Sequence, residues 1–238
     1  MWFMSPKKVL WLTRHSMLPE QEKVLKSVLG DKIQIEVNRT RFKTHQDVIN
    51  IYRQERYSDF VLVAPDKIFV ELAKKNIRPL RSVGRTGVND ATYRFSHFER
   101  VQNAQFSTRM VNPNMIHGNK NILWIDDAPS RTQKEAVQKL LGNNANIICL
   151  EPKKFSIENI ASRANANDIR AIITNRPLWY LAKLQSLLKT SQIWMQDFVS
   201  ASDWMDKVDW VNRYGEPLKL NGFLHVEKAI WQSEKLGP

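Results

Sequence analysis

Short apolar runs and helical patterns alternate along the chain. Val9-Leu10-Trp11-Leu12 and Ile122-Leu123-Trp124-Ile125 are uninterrupted apolar runs that end in polar residues, a pattern typical of strands buried on both faces. Each run is followed by a segment, 19–30 or 131–142, in which apolar residues recur at helical spacing and a glycine stands last. The pattern predicts a strand and then a helix at the start of each half.

Both halves continue in the same order, with second and third strands that alternate with further helices. The apolar runs predict these strands at 33–37 and 60–63 in the first half and at 147–150 and 171–173 in the second. Thr44 and Ser156 are suitable N-caps for the second helices. Three strand-helix pairs in a row predict a parallel sheet covered by helices on both faces, because right-handed crossovers place helices there.

The two halves also end alike. The pattern Phe-x-His-x-Glu-basic occurs at 95–100 and again at 223–228, and Pro79-Leu80-Arg81 has its counterpart in Pro217-Leu218-Lys219. Asn221-Gly222 is a favoured hairpin turn, which predicts a closing hairpin in the second half. The first half has a longer turn at the matching place.

We therefore predict an α/β fold that arose by tandem duplication of a Rossmann-like parallel-sheet unit, each copy closed by a β-hairpin. The first unit spans 5–102, a polar linker spans 103–120, and the second unit spans 121–233. Within the second unit, a tryptophan-rich segment at about 190–214 is predicted to be a helical insertion.

Composition places the chain among ordinary globular proteins. Of its 238 residues, 42% are hydrophobic and 25% are charged, which excludes collagen-like and wholly disordered classes. The sequence contains no apolar run of the roughly 20 residues that a membrane helix needs and no signal-peptide pattern at its start, so a cytoplasmic protein without membrane contact is expected. Cys149 lies in an apolar run, which predicts a buried and inert thiol.

Charge narrows the choice of partner. The chain has 36 basic and 24 acidic residues, a net charge of +12, and residues 1–118 hold 20 basic and 11 acidic ones, a net charge of +9. Ligands of parallel sheets bind at the carboxyl ends of the strands, and arginine suits phosphate. The candidate ligand-binding or nucleic-acid-binding residues are Thr13, Arg14, Arg39, Arg41, Lys43, Arg81 and Arg85.

Acid-base and metal chemistry have fewer candidates. If the protein is an enzyme, His15, His97 and Glu99 are the candidate catalytic residues, since a histidine beside a carboxylate can transfer protons near neutral pH. Alternation along a strand would place Phe95, His97 and Glu99 on one face, where the pair can equally serve as a structural hydrogen bond.

Asp126-Asp127 resembles the acidic pair of response-regulator receiver domains, but Thr174-Asn175-Arg176 stands where a receiver has its third-strand aspartate. A metal at Asp126 and Asp127 is therefore only weakly supported. The sequence has no glycine-rich phosphate loop and no cysteine-based zinc pattern, so no cofactor is expected.

Unit one resembles the small CRISPR-associated Rossmann-fold proteins that include ring nucleases. The likeness rests on Thr13-Arg14-His15, on Leu18-Pro19-Glu20-Gln21 and on the order of elements over about 100 residues. The resemblance implies two such folds that bind cyclic oligoadenylate where their strand ends meet, with Thr13, Arg14 and His15 facing phosphate. Asp126 and Asp127 replace the basic residues in unit two, which implies an asymmetric site.

The leading hypothesis is a non-enzymatic protein that binds nucleic acid or a nucleotide polyanion through its basic first unit. One alternative is a ring-nuclease-like enzyme or sensor that acts on cyclic oligoadenylate, and another is an interaction scaffold that docks a protein partner through segment 190–214. Whether the chain forms a homodimer is left open.

Overall fold

The computed structural model describes residues 7–86, 93–112, 120–151, 154–201, 208–211 and 216–237, without the side chains of residues 85, 86 and 210. The chain divides into two compact units, one formed by Met1–Gln105 with Trp231–Pro238 and the other by Phe106–Ile230. Strands and helices alternate through both. In chain order they are β1 (Lys8–Leu12), α1 (Pro19–Leu29), β2 (Gln34–Asn38), α2 (His45–Gln54), β3 (Asp59–Leu62), α3 (Asp66–Lys74), β4 (Leu80–Thr86), β5 (Tyr93–Met110), β6 (Asn121–Trp124), α4 (Arg131–Leu141), β7 (Asn146–Cys149), α5 (Ile157–Ala166), β8 (Ala171–Ile173), α6 (Leu178–Leu187), β9 (Gln192–Ser200), β10 (Trp210–Val211) and β11 (Pro217–Leu236).

The sheet of the first unit has the strand order β2-β1-β3-β4-β5, with the end of β11 beside β5. β2, β1, β3 and β4 are parallel, and β5 runs antiparallel to β4. Trp11 and Phe98 meet edge to face in the core, with ring centroids 6.3 Å apart. The predicted parallel α/β architecture is confirmed.

The sheet of the second unit repeats this order as β7-β6-β8-β9-β11, and β10 pairs with β11. β7, β6, β8 and β9 are parallel, and β11 is antiparallel to β9. Trp124, Trp194 and Phe223 form the aromatic centre of its core. The predicted N-caps are confirmed, since Thr44 accepts from the Asp47 N–H and Ser156 accepts from the Asn159 N–H.

The fourth parallel strand of the second unit is β9, which differs from the predicted helical insertion at 190–214. Ile193 and Trp194 are both buried because helices cover both faces of the sheet, so the strand lacks the alternation that would reveal it. Asn221-Gly222 is no hairpin turn either. β11 is one continuous strand with a β-bulge between Leu220 and Gly222, and its partner is β9.

The predicted linker begins too early, because β5 continues to Met110. Its polar residues made this stretch resemble a linker, but Asn103 Nδ2 donates to Gln232 Oε1 at the end of β11 (3.2 Å), next to the bond from Gln102 Nε2 to Glu234 Oε2 (3.1 Å). Residues 113–119 of the predicted linker lie outside the described residues. The chain end from Trp231 belongs to the first unit, whereas the sequence placed it in the second.

Two side-chain predictions also differ from the structure. The register of β5 shifts at Val83 and Gly84 of its partner, and as a result Phe95 packs with Phe98 on the core (4.9 Å) instead of sharing a face with His97 and Glu99. Cys149 is exposed, because β7 is an edge strand of its sheet.

Candidate functional site

The exposed carboxyl ends of β1 and β2 bring five sequence-predicted residues to one edge of the first unit. Leu12, the last residue of β1, pairs with Asn38, the last residue of β2, so the loops that follow leave the sheet side by side. Arg39 Nη2 donates to Ser16 Oγ (3.4 Å) from one loop to the other. We name this surface the basic edge, and it consists of Arg14, His15, Arg39, Arg41 and Lys43, all exposed.

Internal hydrogen bonds shape the loop after β1. The Trp11 indole N–H donates to the His15 carbonyl (3.1 Å), and the His15 N–H donates to Thr13 Oγ1 (3.2 Å). Thr13 is only 3% exposed. Thr13 therefore shapes the loop and leaves Arg14 and His15 as the groups that face solvent.

Four carboxylates lie in the first turns of the helices that begin at the same edge: Glu20 and Glu22 in α1, Asp47 in α2 and Asp66 in α3. Asp47 Oδ2 accepts from the N–H groups of Lys43 (3.0 Å) and Thr44 (2.9 Å). These backbone hydrogen bonds lower the pKa of Asp47 below its usual value. The Asp47 carboxylate interacts with the N-terminus of α2, so it neutralises little of the positive charge of the arginines.

Arg81 lies outside the basic edge. Its guanidinium stacks over the Trp231 ring, with Cζ 4.9 Å from the ring centroid, and the residue pairs with Glu99 across β4 and β5. Arg81 therefore helps to dock the chain end on the first unit. The side chain of Arg85 lies outside the described residues.

His97 and Glu99 form a pair, but His15 does not join them. His97 Nε2 is 3.3 Å from Glu99 Oε1, Ser96 Oγ is 3.0 Å from His97 Nδ1, and Ser233 Oγ donates to Glu99 Oε2 (3.1 Å). β3 and β4 separate β1 from β5, which amounts to about 14 Å at the usual strand spacing. The candidate catalytic residues thus occupy two separate places.

In the second copy of the Phe-x-His-x-Glu motif, at 223–227, the histidine and the glutamate have different contacts. Glu227 pairs with Arg109 (Nε to Oε1, 3.1 Å), and the buried His225 Nδ1 has no hydrogen-bond partner among the described residues. Burial, followed by the charge of Arg109, lowers the pKa of His225 below its usual 6.5.

Asp126 and Asp127 lie at the carboxyl end of β6. Asp126 Oδ2 accepts from the Asn175 N–H (2.7 Å), and Asp126 Oδ1 is 3.2 Å from Arg176 Nε, an ion pair without hydrogen-bond alignment. Burial raises the pKa of Asp126, and the Asn175 N–H and Arg176 only partly oppose this. Both oxygens are engaged, and no cluster of three or more His, Cys, Asp or Glu in the described ranges is arranged to hold a metal.

A glutamine in the first turn of a helix links that helix to the fourth strand of each unit. Gln21 Oε1 accepts from the Leu18 N–H (2.8 Å), and its Nε2 donates to Ser82 Oγ (2.9 Å) on β4. In the second unit, Gln133 Oε1 accepts from the Ser130 N–H (2.7 Å), and its Nε2 donates to Gln196 Oε1 on β9.

Sequence reasoning missed these contacts, although Ser130-x-x-Gln133 is a capping-box pattern that could have revealed one of them.

Comparisons with known proteins add little to this geometry. No protein-family model matches the chain, and no curated protein matches it. Among solved structures, full-length LpoA from Haemophilus influenzae is similar at 12% identity and a TM-score of 0.24; the match covers 81% of this chain and 43% of the LpoA chain. Within the described residues, none of the helices has the length and apolar character required to cross a membrane.

Proposed function

We propose that the first unit binds a phosphate-bearing polyanion, a nucleic acid or an oligonucleotide, at the basic edge. The observation that carries the proposal is the register of β1 and β2, which sets two arginine-containing loops side by side with their charged side chains exposed. Arg14, Arg39, Arg41 and Lys43 contribute four cations within about thirty residues of chain.

The chemistry of the edge suits phosphate. A guanidinium offers paired donors that match two phosphate oxygens, and exposed basic side chains attract a polyanion through counterion release. α1 and α2 both begin at this edge, so the positive ends of their helix dipoles lie there, partly offset by Glu20, Glu22 and Asp47 in their first turns. The first-half net charge of +9 supports the same partner class over a longer range.

The proposal requires no catalysis. His15 and the pair of His97 and Glu99 lie three strands apart, so the distance between them supports a binding role over the ring-nuclease alternative. His15 can still contact a bound phosphate as a hydrogen-bond donor.

The test is a binding panel of labelled single-stranded and double-stranded DNA and RNA, with cyclic oligoadenylate as a competitor. We expect Arg39→Ala with Arg41→Ala to weaken binding by at least about tenfold, since two charge-assisted contacts are lost. The matched control is Arg53→Ala with Arg78→Ala. This control removes two exposed arginines at the other end of the sheet, Arg53 in the last turn of α2 and Arg78 in the loop before β4, and should leave binding within about twofold.

Equal losses in the two double variants would contradict the assignment of the surface, because only total charge would then matter. Competition by the cyclic nucleotide would identify a small oligonucleotide as the partner. Cleavage of the cyclic nucleotide that survives His15→Ala with His97→Ala would remove both histidines from any catalytic role.

A further inference from the structure

A polar cavity of about 350 Å³ lies in the second unit, at the carboxyl ends of its parallel strands. The residues that follow β6 and β8, two residues of β9 and Asp209 just before β10 line it, and the first turn of α4 closes one side. Parallel sheets bind ligands at this edge, and the volume is within the range of small-molecule sites. The proposed function of the first unit does not involve this cavity.

The charges that line the cavity do not cancel. Asp126 and Arg176 neutralise each other, since the Arg176 Nε is 3.2 Å from Asp126 Oδ1. Two further carboxylates line the same space, Asp127 and Asp209, and the described contacts give neither of them a cationic partner. Among the described residues, the cavity therefore has two uncompensated negative charges.

Asp209 is held in place with one oxygen unused. Its Oδ2 accepts from the Leu220 N–H (2.8 Å), and its N–H donates to the Leu218 carbonyl (2.9 Å). Its Oδ1 is buried and has no hydrogen-bond partner in the described part of the chain. A buried carboxylate oxygen without a partner is costly, and a ligand that donates a hydrogen bond relieves this cost.

Phe198 lines the same cavity and gives it an aromatic wall. Carboxylates combined with an aromatic ring are the usual surroundings of an organic cation, because the ring face is electron-rich. The amides around it are positioned in advance: Gln196 N–H donates to Asn175 Oδ1 (2.9 Å), and Gln133 Nε2 donates to the Gln196 side chain. The wall of the cavity is therefore set before a ligand arrives.

We infer that this cavity binds a small organic cation with an ammonium or guanidinium group, which Asp127 and Asp209 hold against the ring of Phe198. In the described part of the first unit, Val63 and Ala64 follow β3 where Asn175 and Arg176 follow β8, so the polar lining is not repeated there. The two units thus differ in ligand chemistry while sharing one strand order.

The test is isothermal titration of the full chain, without nucleic acid, with putrescine, agmatine and 1,4-butanediol as probes. We expect saturable binding of one amine per chain and none of the diol. Asp209→Asn and Asp127→Asn should each weaken amine binding about tenfold or more, because each removes a charge-assisted contact. The matched control is Asp197→Asn on β9, which removes a carboxylate outside the cavity, the one that accepts from Asn221 Nδ2, and should change binding less than twofold.

Asp127→Asn keeps the proposal falsifiable if Asp209→Asn fails to fold, because the Asp127 side chain is exposed and only its carbonyl accepts from Trp124 (2.8 Å). Equal amine binding in the Asp127→Asn and Asp197→Asn variants would overturn the proposal. Equal binding of amine and diol would overturn it as well, and so would saturation by Mg²⁺ that excludes the amine.

Discussion

Trp231→Ala tests whether the chain end completes the first unit. Trp231 is half-buried, meets Phe69 at 5.6 Å between ring centroids, and has the Arg81 guanidinium over its ring. Burying half of a tryptophan side chain removes about 100 Å² from water, worth about 2.5 kcal/mol. The edge-to-face pair adds about 1 kcal/mol and the cation–π contact about 0.5 kcal/mol.

The buried indole N–H of Trp231 opposes these stabilising contributions. The Trp231 Nε1 is buried with no hydrogen-bond partner among the described residues, so the substitution removes a desolvation cost of about 1–2 kcal/mol. The lost packing exceeds the relieved desolvation cost, so the expected net destabilisation is about 2–3 kcal/mol. This corresponds to a melting temperature lower by roughly 5–10 °C for a chain of this size.

Urea unfolding with hydrogen exchange is the appropriate assay for Trp231→Ala. Amide exchange should become faster in β4 and β5, next to the substituted side chain. Trp179→Ala is a comparison for partial burial without a cation over the ring, since Trp179 is 39% exposed on α6 and its described ring contact is with its chain neighbour Tyr180 (5.8 Å). A loss of under about 0.5 kcal/mol for Trp231→Ala, or unchanged amide exchange in β4 and β5, would refute the reasoning.

Two further predictions concern stability. Gln21→Ala removes the cap of α1 and the hydrogen bond to Ser82, so thermal unfolding should show a free energy of unfolding lower by about 1–2 kcal/mol. Gln46→Ala, on the exposed face of α2, is the control and should change stability much less. The lowered pKa of His225 means that below pH 6.5 the unfolded chain binds a proton that the folded chain resists, so stability falls as the pH drops through 6.5. Melting temperatures between pH 8 and 5 should show a smaller acid-side loss for His225→Gln than for the wild type and for the exposed His15→Gln, and identical slopes would contradict the assignment.

The strand-helix pairs were predictable because their signals are local. β1 and β6 are short apolar runs buried on both faces, and α1 and α4 end in glycine. β9 was not predictable, because its consecutive residues Ile193 and Trp194 are both buried. The strand therefore lacks the alternation of apolar and polar residues that would identify it. The strand portion of the supposed linker was missed for the opposite reason: its polar side chains find partners on β11, which is distant in sequence.

Part of the candidate sites was likewise predictable from the sequence, and part was not. The carboxyl ends of parallel strands were predictable from the order of elements, and so was the placement of Arg14 after β1 and of Arg39 after β2. The cavity of the second unit was not, since Gln196 and Asp209 come from segments assigned to a helical insertion. Arg81 and Glu99 were predicted to bind or react without knowledge of their partners, because Trp231 and Ser233, which contact them, lie on a strand from the far end of the chain.

The most direct test of the basic edge is the salt dependence of duplex DNA binding by the wild type and by the Arg39→Ala, Arg41→Ala double variant. If both arginines contact phosphate, the slope of log affinity against log salt should become shallower by about 2, since each contact contributes about 0.9. The control variant at Arg53 and Arg78 should keep the wild-type slope. An unchanged slope in the Arg39 and Arg41 variant would contradict the account, because the basic edge would then make no phosphate contacts through these arginines.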